Sequence, residues 1–412
     1  MKLDALRSPR YRRFWFGSIG STGASQLYFV GLSWLVFEMT GSAAYLGLLG
    51  FSMAVPTIVA TLMGGLLADR ANRGRILLLT SILAGLCLSF LTILDLTESA
   101  QIWQVLILAA FLGLISGFDL PARIAFFPSL IESSQMMSAV ALSSILWQGT
   151  RMILPAIGGL LIALVDTWLL FFLCSIGFGV MGWILIGLQT PDKPDPPEDQ
   201  DQSLGAAITF IRREKLFLVL ISITWSSMFF GTSYVQIMPV FAELLGAGEK
   251  GYGYLISATG VGSVCGTLII GRFQHSPLLG RYMMGGAVLF ALSLLFFAAV
   301  TGLLEGGPVA FYAACGCAIL GGIGGSCFLI SSMTVLQIAV PDALRGRVMG
   351  IHSITFSLIA LGGLVLGPIA ELLSAPTAVL FGAITLIISL IVFSARFPNL
   401  WRLNAQNSNY KI

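Results

Sequence analysis

Charged residues are scarce in this chain of 412 residues. Asp, Glu, Lys and Arg make up 10% of it, whereas a soluble domain usually contains about 25%. So few charges cannot cover the surface of a water-soluble protein of this size, and we place the chain in a membrane. The net charge of +3 is too small to indicate nucleic acid binding.

Residues that bind metals or perform catalysis are also few. The two histidines, His275 and His352, cannot form an H-E-x-x-H site, and no G-x-S-x-G elbow or G-K-[ST] phosphate loop is present. The six cysteines lie in apolar runs without metal-ligand spacing, which favours buried thiols over disulfides. We therefore expect a protein that is not an enzyme, that is not driven by ATP bound to this chain, and that carries no cofactor and no metal.

Long apolar runs are abundant. Hydrophobic residues make up 57% of the chain, and the mean hydropathy is +0.92. A transmembrane helix needs about 20 apolar residues, and twelve runs reach that length without the alternation of membrane strands. They cover residues 14–38, 43–68, 75–96, 102–122, 138–163, 167–189, 216–242, 251–271, 279–303, 307–330, 345–371 and 376–396. The prediction is an all-α membrane protein with twelve transmembrane helices.

One stretch in the middle of the chain interrupts this pattern. Residues 191–201 are Pro-rich, acidic and free of apolar side chains, as in an exposed linker, and residues 204–215 form a short amphipathic segment. The linker divides the spans into six and six, the layout of two related bundles. The predicted domains are an N-terminal six-helix bundle at 1–189, a cytoplasmic linker with an amphipathic helix at 190–215, and a C-terminal six-helix bundle with a short tail at 216–412.

The basic residues predict the orientation, because Lys and Arg concentrate in cytoplasmic loops. With a cytoplasmic N-terminus, all of the 22 Lys and Arg residues except Lys250 and Arg151 fall in cytoplasmic segments. An error of one span would destroy this asymmetry. We expect a multi-pass protein of the plasma (inner) membrane with both termini in the cytoplasm.

The loop between the second and third spans carries a spaced set of Gly, Asp and Arg. Gly65, Asp69, Arg70 and Arg73 stand in the pattern G-x-x-x-D-R-x-x-R. Glycine permits close helix approach, and aspartate can pair with cations or accept hydrogen bonds from a helix N-terminus. The loop resembles that of the major facilitator superfamily, whose transporters consist of two six-helix halves.

Three further segments narrow the resemblance to the branch containing enterobactin-exporter-like and macrolide-efflux-like proteins. They are the stretches 119–130 (with 139–142), 151–159 and 336–350.

Leu154 replaces the first glycine of the superfamily's fifth-span antiporter signature, and the arginine that many proton antiporters carry in the middle of the fourth span is missing. A Pro and Gly pair bends a helix and lets a neighbour pack closely, so this span is expected to act as a hinge or seal, with simple packing as the alternative. The resemblance implies a gating role for Gly65, Asp69, Arg70, Arg73, Asp119, Arg123, Pro155, Gly158 and Gly159.

Polar and aromatic residues inside the spans are candidates for substrate binding. Arg151 lies deep in the fifth span with no acid at comparable depth in another span, so it must face water, backbone carbonyls or a ligand. Binding of an anionic or acceptor-rich substrate and hydrogen bonding between helices are the two interpretations. The superfamily builds its cavity mainly from spans 1, 4, 7 and 10, so the resemblance implies substrate contacts from Gln26, Trp34, Trp225, Tyr234, Gln236 and Ser331. Trp147 and Gln148 of the fifth span join these candidates, together with Arg151. Such groups suit an amphipathic or bulky organic substrate, and membrane anchoring is the alternative for each aromatic residue.

Four ionisable residues are candidates for carrying a coupling proton: Glu38, Asp119, His352 and Glu371. Glu38 and Glu371 end their spans, so both also fit ordinary interfacial acids, and His352 also fits a histidine that packs between helices. Asp119 is further expected to form a charge cluster with Asp69 and Arg73 that holds the cytoplasmic face closed.

The expected function is a secondary active transporter that exports a small amphipathic organic molecule, drug-like or siderophore-like, by alternating access and proton antiport. The direction of transport and its coupling to protons are what the resemblance implies. Two alternatives remain open: an importer or facilitator of a nutrient or lipid, and a membrane assembly factor that kept the fold and lost transport. The expected partners are a small-molecule substrate, protons and the lipid bilayer, with no nucleic acid, and we expect a monomer.

Overall fold

The computed structural model describes residues 4–188, 204–273, 276–304, 306–341, 344, 348, 351–352 and 354–403. Within these residues the chain forms helices and connecting turns and no β-strand. The acidic part of the predicted linker, 191–201, lies outside the described residues.

Six long helices form the N-terminal part of the fold. They are α1 (Pro9–Thr40), α2 (Ala43–Arg70), α3 (Arg73–Leu96), α4 (Ile102–Phe126), α5 (Met136–Leu164) and α6 (Thr167–Ile186). Local sequence sets several of their ends. Ser8 accepts a hydrogen bond from the Tyr11 N–H at the start of α1, and Gly41 ends this helix with a φ of 61°, which glycine adopts without strain. Asn72 caps α3 in the same way as Ser8 caps α1.

The C-terminal part begins with a short amphipathic helix and contains an interrupted span. The helices are α7 (Leu204–Arg213), α8 (Lys215–Ser226), α9 (Met238–Leu244), α10 (Gly248–Phe273), α11 (Leu279–Leu303), α12 (Gly307–Ala339), α13 (Ser357–Leu372) and α14 (Ala375–Arg396). A π-helical turn at Ser227–Gly231 and a 3₁₀ segment at Thr232–Ile237 join α8 to α9. A shorter 3₁₀ turn, Ile354–Phe356, precedes α13.

Eleven stretches of the described residues are long and apolar enough to cross a membrane, with α8 to α9 counted as one. Helix α1 is not among them, although at 32 residues it is one of the longest helices. Its middle contains Ser18, Ser21, Thr22, Ser25 and Gln26, which lower its hydropathy, and most of these side chains are buried. Counting α1 as a further span gives the twelve predicted from the sequence.

The chain divides into two compact units. The first consists of Met1–Gly41 and Leu48–Glu198, and the second of Ser42–Gly47 and Asp199–Ile412. We refer to these units as the first and second bundle. The first turn of α2 therefore groups with the second bundle, a detail that the sequence did not indicate.

In each bundle, glycine allows a pair of helices to pack so closely that their backbones are in contact. A β-carbon on Gly117 of α4 would lie 2.6 Å from the carbonyl oxygen of Thr57 in α2, and one on Gly266 of α10 would lie 2.6 Å from that of Ile323 in α12. A larger residue would force these helices apart. The helices involved are the second and fourth spans of the first bundle and the second and fourth spans of the second.

Candidate functional site

A buried ion pair lies in the second half of α4. Asp119 and Arg123 are one helical turn apart, and Arg123 Nε donates to Asp119 Oδ2 at 2.9 Å while Nη2 donates to Oδ1 at 3.3 Å. The side chains of Arg123 and Asp119 are only 11% and 19% exposed. A bidentate ion pair of this kind is stronger than a pair joined by one hydrogen bond, and burial reduces the screening of its charges by salt.

Residues from two neighbouring helices complete the surroundings of this pair. Arg123 Nη1 donates to Ser18 Oγ of α1 at 3.1 Å. The Thr80 hydroxyl of α3 lies 3.1 Å from Asp119 Oδ1, to which it can donate, with the Leu77 carbonyl as the other acceptor. The guanidinium of Arg123 also lies 5.9 Å from the centre of the Phe14 ring, within the range of a cation–π contact. The pair thus connects α1, α3 and α4.

The sequence predicted a charge cluster of Asp69, Arg73 and Asp119. In the structure Asp119 pairs with Arg123, and Arg73 Nη1 donates to the carbonyl of Ala125 at the end of α4, at 3.0 Å. Gly65, Asp69 and Arg70 belong to α2, but their side chains lie outside the described residues, so the role of Asp69 stays a prediction. The i, i+4 spacing of Asp119 and Arg123 was the signal for the pair. The signal was missed because Arg123 was counted among the cytoplasmic basic residues that predict the orientation.

A cavity of 170 Å³ opens beside the ion pair, within the first bundle, and its wall combines polar and apolar side chains. Its wall includes Thr22, Ser25 and Tyr28 of α1, Ser116, Asp119 and Arg123 of α4, Trp147 of α5 and Phe178 of α6. A second cavity of 70 Å³ touches Tyr11, Ser18 and Ser143. The two cavities share Thr22, Leu120, Arg123 and Trp147. Arg123 therefore faces both.

The predicted substrate residues of the first bundle are spread along α1 and α5. Trp147 lines both cavities and is 41% exposed. Gln26 and Gln148 are half-buried, and Trp34 is buried, with its ring 5.9 Å from that of Phe37. Arg151, one turn beyond Trp147 on α5, is exposed and is not part of either cavity wall.

The predicted substrate residues of the second bundle are more enclosed. Tyr234, Gln236 and Ser331 are 4%, 4% and 0% exposed, and only Trp225 reaches 36%. The Tyr234 ring packs edge-on against Phe297 at 5.4 Å. Gln236 Oε1 and Ser331 Oγ have no hydrogen-bond partner in the described part of the chain. The sequence alone could not predict this enclosure, because α13 buries Gln236 through the close approach of Gly363.

The proline and glycine residues of the fifth span lie inside the first bundle. Pro155, Gly158 and Gly159 are all buried in α5. A β-carbon on Gly158 would lie 3.1 Å from Leu27 of α1 and 3.3 Å from Leu170 of α6. These contacts agree with close packing inside one bundle, which is the alternative considered above, and the hinge role stays a prediction.

The remaining coupling candidates differ in their surroundings. Glu371 Oε2 accepts a hydrogen bond from the Ser42 hydroxyl at 2.8 Å and another from the Ala44 N–H at 3.4 Å, so it caps the start of α2 within the second bundle. Glu38 is exposed near the end of α1. His352 is buried, and its Nδ1 has no hydrogen-bond partner among the residues that the structure describes. No cluster of His, Cys, Asp or Glu in the described ranges could hold a metal ion.

The helical bundles and their membrane-crossing lengths define a multi-pass integral membrane protein with a fold of the major facilitator type. A solved crystal structure of the nucleoside transporter NupG superimposes with a TM-score of 0.71. The match covers 94% of this chain and 99% of that one at 12% sequence identity, and it therefore supports the fold alone.

Sequence comparison gives the family. Residues 2–411 match the family described as transmembrane secretion effector, and the chain belongs to this family of major facilitator transporters. The staphyloferrin A transporter of Staphylococcus aureus is 24% identical over 374 residues, covering 88% of this chain and 90% of that protein. The enterobactin exporter EntS of Shigella flexneri is 24% identical over 322 residues, covering 78% of this chain and 71% of that protein. The protein is thus a membrane transporter of a small molecule.

Proposed function

We propose that this protein exports a siderophore-like organic molecule across the plasma (inner) membrane. The family match over residues 2–411 carries the proposal, because it covers nearly the whole chain and both bundles. Similarity to a staphyloferrin A transporter and to an enterobactin exporter supports the substrate class. The cavity in the first bundle, with its polar groups and aromatic wall, suits part of such a substrate.

The proposed mechanism is alternating access of the two bundles, driven by proton antiport in a monomer with both termini in the cytoplasm. Asp119, Glu38, Glu371 and His352 remain the candidates for the coupling proton. Gly65, Asp69, Arg70 and Arg73 would act at the cytoplasmic face, together with Asp119 and Arg123, and Pro155, Gly158 and Gly159 would act in the fifth span. Arg151 would bind an acceptor-rich part of the substrate, because its exposed guanidinium lies in a predicted span.

Transport in inverted membrane vesicles tests this proposal. Vesicles that contain the protein and have an acidified lumen should accumulate enterobactin or staphyloferrin A, and a protonophore should abolish the uptake. If the vesicles took up these compounds independently of the pH gradient, the result would contradict antiport and favour a facilitator. No uptake of either compound and no ligand-induced thermal stabilisation across a panel of siderophores and drugs would contradict transport and favour an assembly factor.

Two substitutions separate conformational change from binding. Asp69→Asn should slow transport and leave equilibrium substrate binding close to that of the wild type, since Asp69 is assigned to gating. Arg151→Ala should weaken binding, because it removes a cation and its hydrogen-bond donors. Loss of binding with normal cycling in Asp69→Asn, or unchanged affinity in Arg151→Ala, would overturn the corresponding assignment.

A further inference from the structure

The cavity beside Asp119 and Arg123 contains hydrogen-bond donors for which the described residues provide no acceptor. A guanidinium carries five N–H groups. Two N–H groups of Arg123 bond to Asp119 and one bonds to Ser18, which leaves two. Because Arg123 lines both cavities, these remaining donors have room for an acceptor that does not belong to the protein.

Two hydroxyls on buried residues add to these donors. Thr22 and Tyr28 of α1 are 3% and 6% exposed and line the same cavity. Neither hydroxyl makes a hydrogen bond to another described residue, whereas the neighbouring Ser25 hydroxyl donates to the Ser21 carbonyl. Both hydroxyls can therefore bond to a ligand or to water in the cavity.

The size and the walls of the cavity indicate what fits. An engineered protein cavity of about 150 Å³ binds benzene, and this cavity measures 170 Å³. Its walls include the aromatic side chains of Tyr28, Trp147 and Phe178. Asp119 keeps acceptor capacity beyond its contacts with Arg123 and Thr80, since each carboxylate oxygen has two lone pairs. A six-membered aromatic ring with adjacent oxygen groups, one accepting and one donating, matches both the volume and the polar groups.

We propose that this cavity is a subsite for one oxygen-substituted aromatic ring of the exported molecule, a hydroxybenzoate or catechol group. Acceptor oxygens of the ring bind the two remaining N–H groups of Arg123, a ring hydroxyl donates to Asp119, and Trp147 packs against the ring face. The inference rests on the proposed function, and it gives Asp119 and Arg123 a role in substrate recognition in addition to their ion pair.

Binding of 2,3-dihydroxybenzoate to the full chain in nanodiscs, measured by isothermal titration calorimetry, tests the subsite. Cyclohexanecarboxylate, which has a carboxylate and no aromatic ring, is the comparison ligand and should bind at least roughly tenfold more weakly. Arg123→Lys keeps the charge but loses the forked donors, and we expect about tenfold weaker binding of the probe. Tyr28→Phe and Thr22→Val each remove one hydroxyl with little change in shape, and we expect about threefold to tenfold weaker binding.

Matched variants separate recognition from folding. Tyr312→Phe alters an exposed tyrosine of the second bundle, and Thr92→Val alters a buried threonine whose hydroxyl donates to the Leu88 carbonyl. Both should bind the probe like the wild type. All variants are compared at equal monodispersity on gel filtration, so that a folding defect is recognised.

The outcomes distinguish the subsite from the proposed function. Absence of probe binding to the wild type, or unchanged affinity in both Tyr28→Phe and Thr22→Val, overturns the subsite even if vesicles accumulate siderophores. Probe binding that these two substitutions weaken supports the subsite even if the vesicles accumulate neither siderophore, and in that case the proposed function is the part that fails.

Discussion

The two bundles differ in how their buried polar groups are arranged, although buried hydroxyls without a partner in the described residues occur in both. In the first bundle, Asp119 and Arg123 pair with each other, bond to residues of α1 and α3, and border a cavity of 170 Å³. In the second bundle, Gln236 and Ser331 are enclosed and leave side-chain oxygens without a partner in the described residues. The polar side chains of the first bundle therefore include an ion pair that borders a cavity. Those of the second bundle, Gln236 and Ser331, are enclosed between closely packed helices.

Backbone packing, in contrast, is similar in the two bundles. Gly117 in the first and Gly266 in the second each bring the second and fourth spans of their bundle to backbone distance. The seventh span departs from this similarity, because a π-helical turn at Ser227–Gly231 and the 3₁₀ segment that follows interrupt it. Such turns are frequent at functional sites. The bundles thus share helix packing and differ in polar chemistry.

Breaking the ion pair should have the largest effect on stability. Asp119→Ala leaves Arg123 buried without its counter-charge, and we expect the free energy of unfolding to fall by about 3–5 kcal/mol. Gln236→Leu in the second bundle removes a group that has an unsatisfied oxygen, and its effect should be much smaller. Thermal unfolding in detergent, followed by tryptophan fluorescence, measures both.

A double variant is the control for this prediction. Asp119→Leu combined with Arg123→Leu removes both charges and should recover much of the stability that either single substitution loses. Equal losses for Asp119→Ala and Gln236→Leu would show that the two bundles do not differ in the way described.

Filling the glycine contacts should have the next largest effect and should affect both bundles alike. Gly117→Ala and Gly266→Ala each place a β-carbon 2.6 Å from a carbonyl oxygen of the neighbouring helix. We expect each to lower the free energy of unfolding by about 1–3 kcal/mol, because the backbone must shift. The same unfolding assay applies.

Gly149→Ala and Gly316→Ala serve as the controls, one in each bundle, because nothing lies within 4 Å of a β-carbon at these positions. They should be neutral or stabilising, since alanine favours helix over glycine. If only one of Gly117→Ala and Gly266→Ala lowered the free energy of unfolding, the second and fourth spans would pack alike in the two bundles without contributing alike to stability.

Most of the fold could be predicted from the sequence, and the exceptions have physical causes. The apolar runs predicted the spans, because a lipid environment requires continuous apolar helices. Helix α12 extends to Ala339, beyond the predicted end at residue 330, because Ser331, Ser332 and Thr334 end the apolar run but not the helix. The interruption of the seventh span was not predicted, since hydropathy does not distinguish a π-helical turn from an α-helix.

The candidate site was only partly predictable. Asp119 and Arg123 were identified by their motif and Trp147 as an aromatic residue of the fifth span, and the structure brings them to one cavity. Thr22, Ser25, Tyr28 and Ser116 were missed, because a hydroxyl in an apolar helix gives no sequence signal of whether it faces a cavity, lipid or its own backbone. Which side chains share a cavity depends on how helices distant in sequence pack, and one sequence does not contain that information.

Removing a single serine hydroxyl should have the smallest effect and gives the sharpest test of the difference between the bundles. Ser331→Ala should change the free energy of unfolding by less than about 0.5 kcal/mol or increase it, because its buried Oγ makes no hydrogen bond in the described residues and loses nothing. Ser18→Ala in the first bundle removes the same atom from a hydrogen bond with Arg123 and should cost about 1.5 kcal/mol. Both residues are buried, so the comparison holds side-chain size and burial nearly constant. If Ser331→Ala cost as much as Ser18→Ala, the Ser331 hydroxyl would have to be satisfied by bound water, and the two bundles would not differ in the way described.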